Sequence, residues 1–93
     1  MKNNKDYTKI IKAIANENRK DIIYLLYNSK ERMCVNEISS AIGISQSLTS
    51  HQLKHLESIN LIEGERVGQT ICYHYCKNDI SKRTIKVINA LIN

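Results

Sequence analysis

The chain has no proline, no phenylalanine and no tryptophan, and its only glycines stand at positions 43, 64 and 68. With no proline- or glycine-rich stretch there is no linker, repeat or low-complexity segment, so residues 1–93 read as a single domain. No glycine-rich loop is available to cradle a phosphate. No carboxylate pair sits in a recognisable pocket, and no Ser or Cys nucleophile has a positioned base. An enzyme is therefore not expected. Lacking Phe and Trp, the chain draws its apolar volume mostly from Ile and Leu, with five Tyr. A single chain of this length buries a modest core, which favours burial shared between two copies. The amino-terminal MKNNKDYTKI has no apolar signal core, and no run approaches a membrane span. A cytoplasmic protein without a membrane partner is expected. Three cysteines cannot all pair within one chain, and a purely internal disulfide framework is not expected in a reducing compartment.

Positive charge is plentiful. The net +5 suits a polyanion, although a solvated basic surface without a partner gives the same total. The stretch Asn36 to Leu56, NEISSAIGISQSLTSHQLKHL, is the most informative. Asn36 is an N-cap candidate, Ile38, Ala41 and Ile42 repeat at helical spacing, and Gly43 suits a left-handed helix end. Ser45 then caps a second helix. Leu53 and Leu56 form its inward stripe, with Thr49 and Gln52 half-buried. Gln46, Ser47, Leu48, Ser50, His51 and Lys54 are left facing out. Two helices joined by a glycine turn, with small polar residues opening the second, form the layout of a DNA-reading helix-turn-helix. Ser, Thr and Gln are short enough to let such a helix sink into the major groove, and they can bond base edges and phosphates.

SQSLTSHQLKHLESINLI resembles the recognition-helix signature of the ArsR/SmtB-type winged-helix repressors. Ala15-Asn16-Glu17-Asn18-Arg19 is similar to the start of that family's second helix. Met33-Cys34-Val35-Asn36-Glu37-Ile38 resembles its metal-box segment, and Gly68 to Tyr75 its wing and return strand. The likeness spans nearly the whole chain. It implies a mainly α fold with a small β-hairpin wing: a winged helix-turn-helix of about five helices and two to three short strands.

The rest of the chain fits this outline. Tyr7, Ile10, Ile11 and Ile14 make an apolar stripe over residues 6–15, and Asn16 can cap a helix running to about Asn28 with Ile22, Ile23, Leu25 and Leu26 inward. Arg19 is open to two readings, a phosphate contact or an ordinary solvent or salt-bridge role. Met33-Cys34-Val35 reads as a short third strand beside the wing. Glu63 to Arg66, a turn around Val67-Gly68-Gln69, and Thr70 to Cys76 read as a β-hairpin. Glu63 and Glu65 dilute the wing's charge and leave Arg66 and Gln69 as its contacts. Ile85, Ile88, Leu91 and Ile92 share one face of a last helix, which with the first is expected to form a dimer interface.

The resemblance raises the question of a sensor. Cys34 coincides with the first cysteine of the family's metal box, but the second is replaced by Asn36. Asp79 echoes the first ligand of the family's last-helix site, yet no His follows His74. Cys72, His74 and Cys76 alternate along a strand and would share a face, but Cys72 and Cys76 would stand about 13 Å apart. That is too far for one ion or for a bond between the two sulfurs. No metal and no cofactor are expected. The thiols of Cys34, Cys72 and Cys76 stay open to an incidental, a redox or disulfide, or a metal reading. His51 reads as a DNA contact and His55 as a surface residue.

The expected function is a homodimeric, sequence-specific regulator of double-stranded DNA, a repressor on a near-palindromic operator. Ser45 and Ser47 would bond phosphates, while Gln46, Ser50 and His51 would read bases and Leu48 touch a thymine methyl. Lys54, Arg66 and Gln69 complete the contact set. A metal or small-molecule inducer stays open. The alternative is a winged-helix docking module in a transcription complex, without an operator of its own.

Overall fold

The computed structural model describes residues 4–92. In order, the elements are α1 (Asn4–Ala15), α2 (Glu17–Asn28), β1 (Met33–Cys34), α3 (Val35–Ile42), α4 (Gln46–Ser58), β2 (Ile62–Val67), β3 (Thr70–Tyr75) and α5 (Asp79–Ile92). The strands form one antiparallel sheet in the order β1-β3-β2. This is the expected winged helix-turn-helix.

Helix α2 is the central post, in contact with all four other helices and with β3. Asn16 caps it, its Oδ1 accepting from the Arg19 N–H at 3.0 Å. Ile22, Ile23 and Leu26 are its buried face, and Leu25 is only half-buried. Around this face close Ile38 of α3, Leu53 and Leu56 of α4, Leu61, Ile62, Tyr73, and Ile85 and Ile88 of α5. Burial of each such aliphatic side chain contributes about 1.5–3 kcal/mol, so a core of Ile and Leu serves without Phe or Trp.

The helix-turn-helix differs from expectation at its start. The N-cap of α3 is Cys34, not Asn36. Strand β1 runs straight into the helix, and the Glu37 carboxylate turns back to accept from the Cys34 N–H at 2.9 Å. Asn36 already lies inside the first turn, where its Oδ1 accepts from the Glu37 N–H. At the other end Gly43 takes the left-handed conformation, φ 84°, and the N–H groups of Gly43 and Ile44 both reach the Ser39 carbonyl. Ser45 caps α4 by accepting from the Leu48 N–H at 3.0 Å. Helix α4 runs on to Ser58 and ends on Asn60, a non-glycine residue at φ 66°, with the Leu61 N–H returning to the Leu56 carbonyl. Asparagine tolerates this left-handed corner better than most residues.

The two outer helices divide their apolar residues between two surfaces. Ile10, Ile85 and Ile88 are buried, whereas Ile11 is 61% exposed and Leu91 66% exposed. Tyr7, Ile10, Ile11 and Ile14 of α1 face Ile80, Thr84 and Val87 of α5 across an apolar groove. The Arg83 guanidinium bonds the Tyr7 hydroxyl at one side of it. Among the described residues, no helix is long and apolar enough to cross a membrane.

The cysteines correct a second expectation: an internal disulfide is present, joining Cys34 to Cys72 and leaving Cys76 free. The two residues are direct partners across β1 and β3, a register that reading either strand alone does not reveal.

Gly64 is held by contact rather than by conformation. A Cβ there would lie 2.7 Å from Cε2 of Tyr73, its register partner, and 3.1 Å from Cγ2 of Ile71. Because the Tyr73 ring is buried, Gly64→Ala is expected to lower stability by about 1–3 kcal/mol through overpacking. The shift in the urea midpoint measures it.

Candidate nucleic-acid interface

Helix α4 separates its residues cleanly. Thr49, Leu53 and Leu56 are fully buried, and Gln52 nearly so. The Thr49 hydroxyl donates to the Ser45 carbonyl at 2.8 Å. The Gln52 carbonyl oxygen accepts from Arg19 Nε at 2.6 Å, tying α4 to α2. The Arg19 side chain is a structural strut under the helix, a role not among those expected for it. Without it the buried Gln52 amide would lose a charge-assisted bond.

The other side of α4 carries Gln46, Ser47, Leu48, His51 and Lys54, all exposed, with Ser45 just ahead of them and Ser50 half-buried between. The Ser45 oxygen is engaged as a cap, but its hydroxyl proton remains available to an acceptor. Leu48 is the one large apolar residue on this face.

The start of β3 lies beside the head of this helix. Gln46 at the head of α4 and Thr70 at the start of β3 line one open cleft with Cys34, Val35, Asn36 and Glu37. Thr70 thus joins the expected face, and no feature of the sequence marked it. The tip is the two-residue turn Gly68–Gln69, with Gly68 at φ 64° and Gln69 exposed. Both wing carboxylates have partners. Glu65 accepts from Arg32 at 2.6 Å, and Glu63 stands 3.9 Å from the His74 ring. Such exposed pairs are weak, and both carboxylates lie in the body of β2 rather than at the tip. Among the described residues, Lys54 and Arg66 enter no ion pair. Apart from Leu48, the exposed residues of the expected α4 face and Arg66 and Gln69 of the wing are polar or basic. The described residues contain no cluster of three or more His, Cys, Asp or Glu placed to hold a metal ion.

His55 is half-buried rather than a free surface residue. Burial lowers its pKa from the ordinary 6.5, and the positive charges of Arg19 and His51 lower it further. A histidine depressed in this way is favoured neutral in the folded chain, so the unfolded chain takes up the proton first. Its contribution is full above 6.5, is lost as pH falls through the interval down to the folded value, and is level below that. NMR titration is expected to give a His55 midpoint below 6.5 that moves upward in Arg19→Gln, where one of the opposing charges is gone.

The sequence profile of the family described as "Bacterial regulatory protein, arsR family" matches residues 16–63, from the cap of α2 to the start of the wing. The chain is 36% identical over 63 residues to the HTH-type transcriptional regulator NmtR of Mycobacterium tuberculosis, a match covering 68% of this chain and 51% of that protein. It is 30% identical over 90 residues to the transcriptional activator HlyU of Vibrio cholerae, covering 97% of this chain and 81% of that one. The match to a SmtB homolog of Synechocystis, a transcriptional repressor, likewise takes in 50% of its length, so the chain spans about half of several relatives it matches. The fold superposes on the solved structure of Vibrio cholerae HlyU with a TM-score of 0.83 at 26% identity, over 99% of this chain and 98% of that one. A homodimeric winged helix-turn-helix DNA-binding domain from Mycobacterium bovis gives 0.79 at 26% identity, over 95% and 80%. These likenesses are to regulators rather than enzymes, and with a profile match over half its length the chain belongs to the arsR family of bacterial regulatory proteins.

Proposed function

We propose that the protein is a homodimeric transcriptional repressor that binds a near-palindromic duplex operator through two copies of α4. The observation that carries this reading is the outer face of that helix: Gln46, Ser47, Leu48, His51 and Lys54 are exposed, and no other part of the described chain covers them. A polar helix face flanked by a wing fits a major groove better than an apolar partner. Ser45 and Ser47, at the positive end of the α4 dipole, bond phosphates. Gln46, Ser50 and His51 read base edges, and Leu48 meets a thymine methyl. Lys54 and Arg66 supply attraction that does not depend on sequence, and Gln69 touches the backbone from the wing tip.

The α1–α5 groove supports the dimer. Ile11, Val87, Leu91 and Ile92 are all at least 45% exposed, a contiguous apolar area that a second copy would cover. A two-fold pair sets its reading helices about one DNA turn, roughly 34 Å, apart. Relatives with repressor and activator names both exist. Repression by occupancy needs no surface beyond the two described, which favours the repressor. The single domain with terminal helices at the interface is part of the same proposal.

Selection from a random duplex pool is expected to yield a two-fold motif. Gln46→Ala should relax preference at one position by about 1–3 kcal/mol of discrimination. Lys54→Ala should weaken all sequences alike and reduce the salt slope by about 1. Uniform loss in both variants would overturn the division between readers and positioners. Ile11→Glu, at an exposed site with little folding cost, should give a monomer by sedimentation and abolish tight operator binding. Binding to duplex DNA that is absent or insensitive to salt would favour a docking module instead.

A further inference from the structure

Cys34 ends β1 and caps α3, while Cys72 lies in the middle of β3. The two are register partners, their Cα atoms are 3.8 Å apart, and they are joined although 38 residues separate them in sequence. Strand β1 meets β3 at only two residue pairs, Met33 with Tyr73 and Cys34 with Cys72. Beyond Cys72, toward the turn, β3 is paired with β2 alone. The sulfur link is thus the outermost tie between the wing and the strand that leads into the helix-turn-helix.

We propose that Cys34 and Cys72 are a reversible thiol–disulfide site that reacts with hydroperoxides and clamps the base of the wing to the start of the helix-turn-helix. Cys34 is the attacking residue. It is half-buried and lines two open clefts, one shared with Arg32, Val67 and His74 and the other with Asn36, Gln46 and Thr70. Both clefts open to solvent, so a small oxidant can reach its sulfur once the link is reduced. Cys72 is 3% exposed and is the resolving residue. Cys76 lies beyond the end of β3, where burial pushes its thiol pKa up and the charges of Glu63 and Glu57 push it further. It stays a thiol.

The chemistry balances. The Cys34 thiolate attacks one peroxide oxygen, the O–O bond breaks, and the departing hydroxide takes a proton to leave as water. Cys34 is then a sulfenic acid. The Cys72 sulfur attacks the Cys34 sulfur, the S–O bond breaks, and the hydroxyl leaves as a second water with the proton of the Cys72 thiol. Two thiols have lost two electrons and two protons, and hydrogen peroxide has become two waters. A dithiol reductant reverses the change and itself becomes a disulfide.

The consequence for DNA rests on the function proposed above. In the oxidised chain the wing and α4 hold one geometry before DNA arrives, whereas the reduced chain must order the wing on binding, which costs affinity. Oxidation is therefore expected to tighten operator binding at least about fivefold, the low end of the usual range for coupled sites.

The full chain, reduced and then treated with hydrogen peroxide, should pass from three titratable thiols to one, with peptide mapping joining residues 34 and 72. Cys76→Ser should still form the link. Cys34→Ser, which retains a good helix cap, should not. Amide exchange at residues 70–72 should slow on oxidation in the parent chain and not in Cys34→Ser. Three persisting thiols, a link through Cys76, or unchanged exchange would overturn the site. Equal duplex affinity in both states would overturn its coupling to DNA. Loss of all duplex binding with the link still forming would instead overturn the DNA reading and leave the clamp in place.

Discussion

The exposed residues of α4 present themselves because four others on the same helix do not. Thr49, Gln52, Leu53 and Leu56 are held against α2 and the sheet, and this packing fixes both the rotation of the helix about its axis and its depth in the domain. At about 100° per residue, a rotation by one position would bury Lys54 and expose Leu53. The hydrogen bond from Arg19 to Gln52 adds direction to what apolar contact alone would leave free to slide. Helix α2 is the common support: the same Ile22, Ile23 and Leu26 face carries α4 on one side and α5 on the other. The geometry of the polar surface and of the apolar groove therefore has one origin.

Much of this was legible beforehand because it is written in local spacing. The glycine after Ile42, the serine before Gln46 and the Asn16 cap each act within four residues, and each does what its side chain predicts. The hairpin turn was legible for the same reason. Features that depend on what lies across a gap were not. Cys34 and Cys72 meet only because β1 and β3 pair in one particular register, and single-strand periodicity carries no information about register. Arg19 and Gln52 are 33 positions apart, and an arginine on a helix gives no sign of which neighbour it will find. The start of α3 was misplaced by two residues because asparagine is the better intrinsic cap. Strand pairing fixed the backbone of Cys34 first, and Glu37 completed the turn from the side-chain direction.

The terminal helices show where periodicity is right and still insufficient. Ile85 and Ile88 belong to the face that the spacing indicates, yet Leu91 on that same stripe is mostly exposed. The chain's own core ends before the helix does. A stripe identifies which residues avoid water; it does not say whether the surface that shields them belongs to the same molecule. The apolar groove between α1 and α5 is lined on its α5 side by other residues, Ile80, Thr84 and Val87, which that stripe does not include.

The wing's tight tip restricts how its length can vary. β2 and β3 have six residues each and are joined by only Gly68 and Gln69, so the hairpin has no slack in which to absorb an extra residue. Adding one position to a strand would turn every side chain beyond it to the opposite face, Arg66 among them. Lengthening or shortening must then come in matched pairs across both strands. Reach can change only in steps of about 7 Å, two strand residues at a time, and relatives with longer or shorter wings should differ by even numbers.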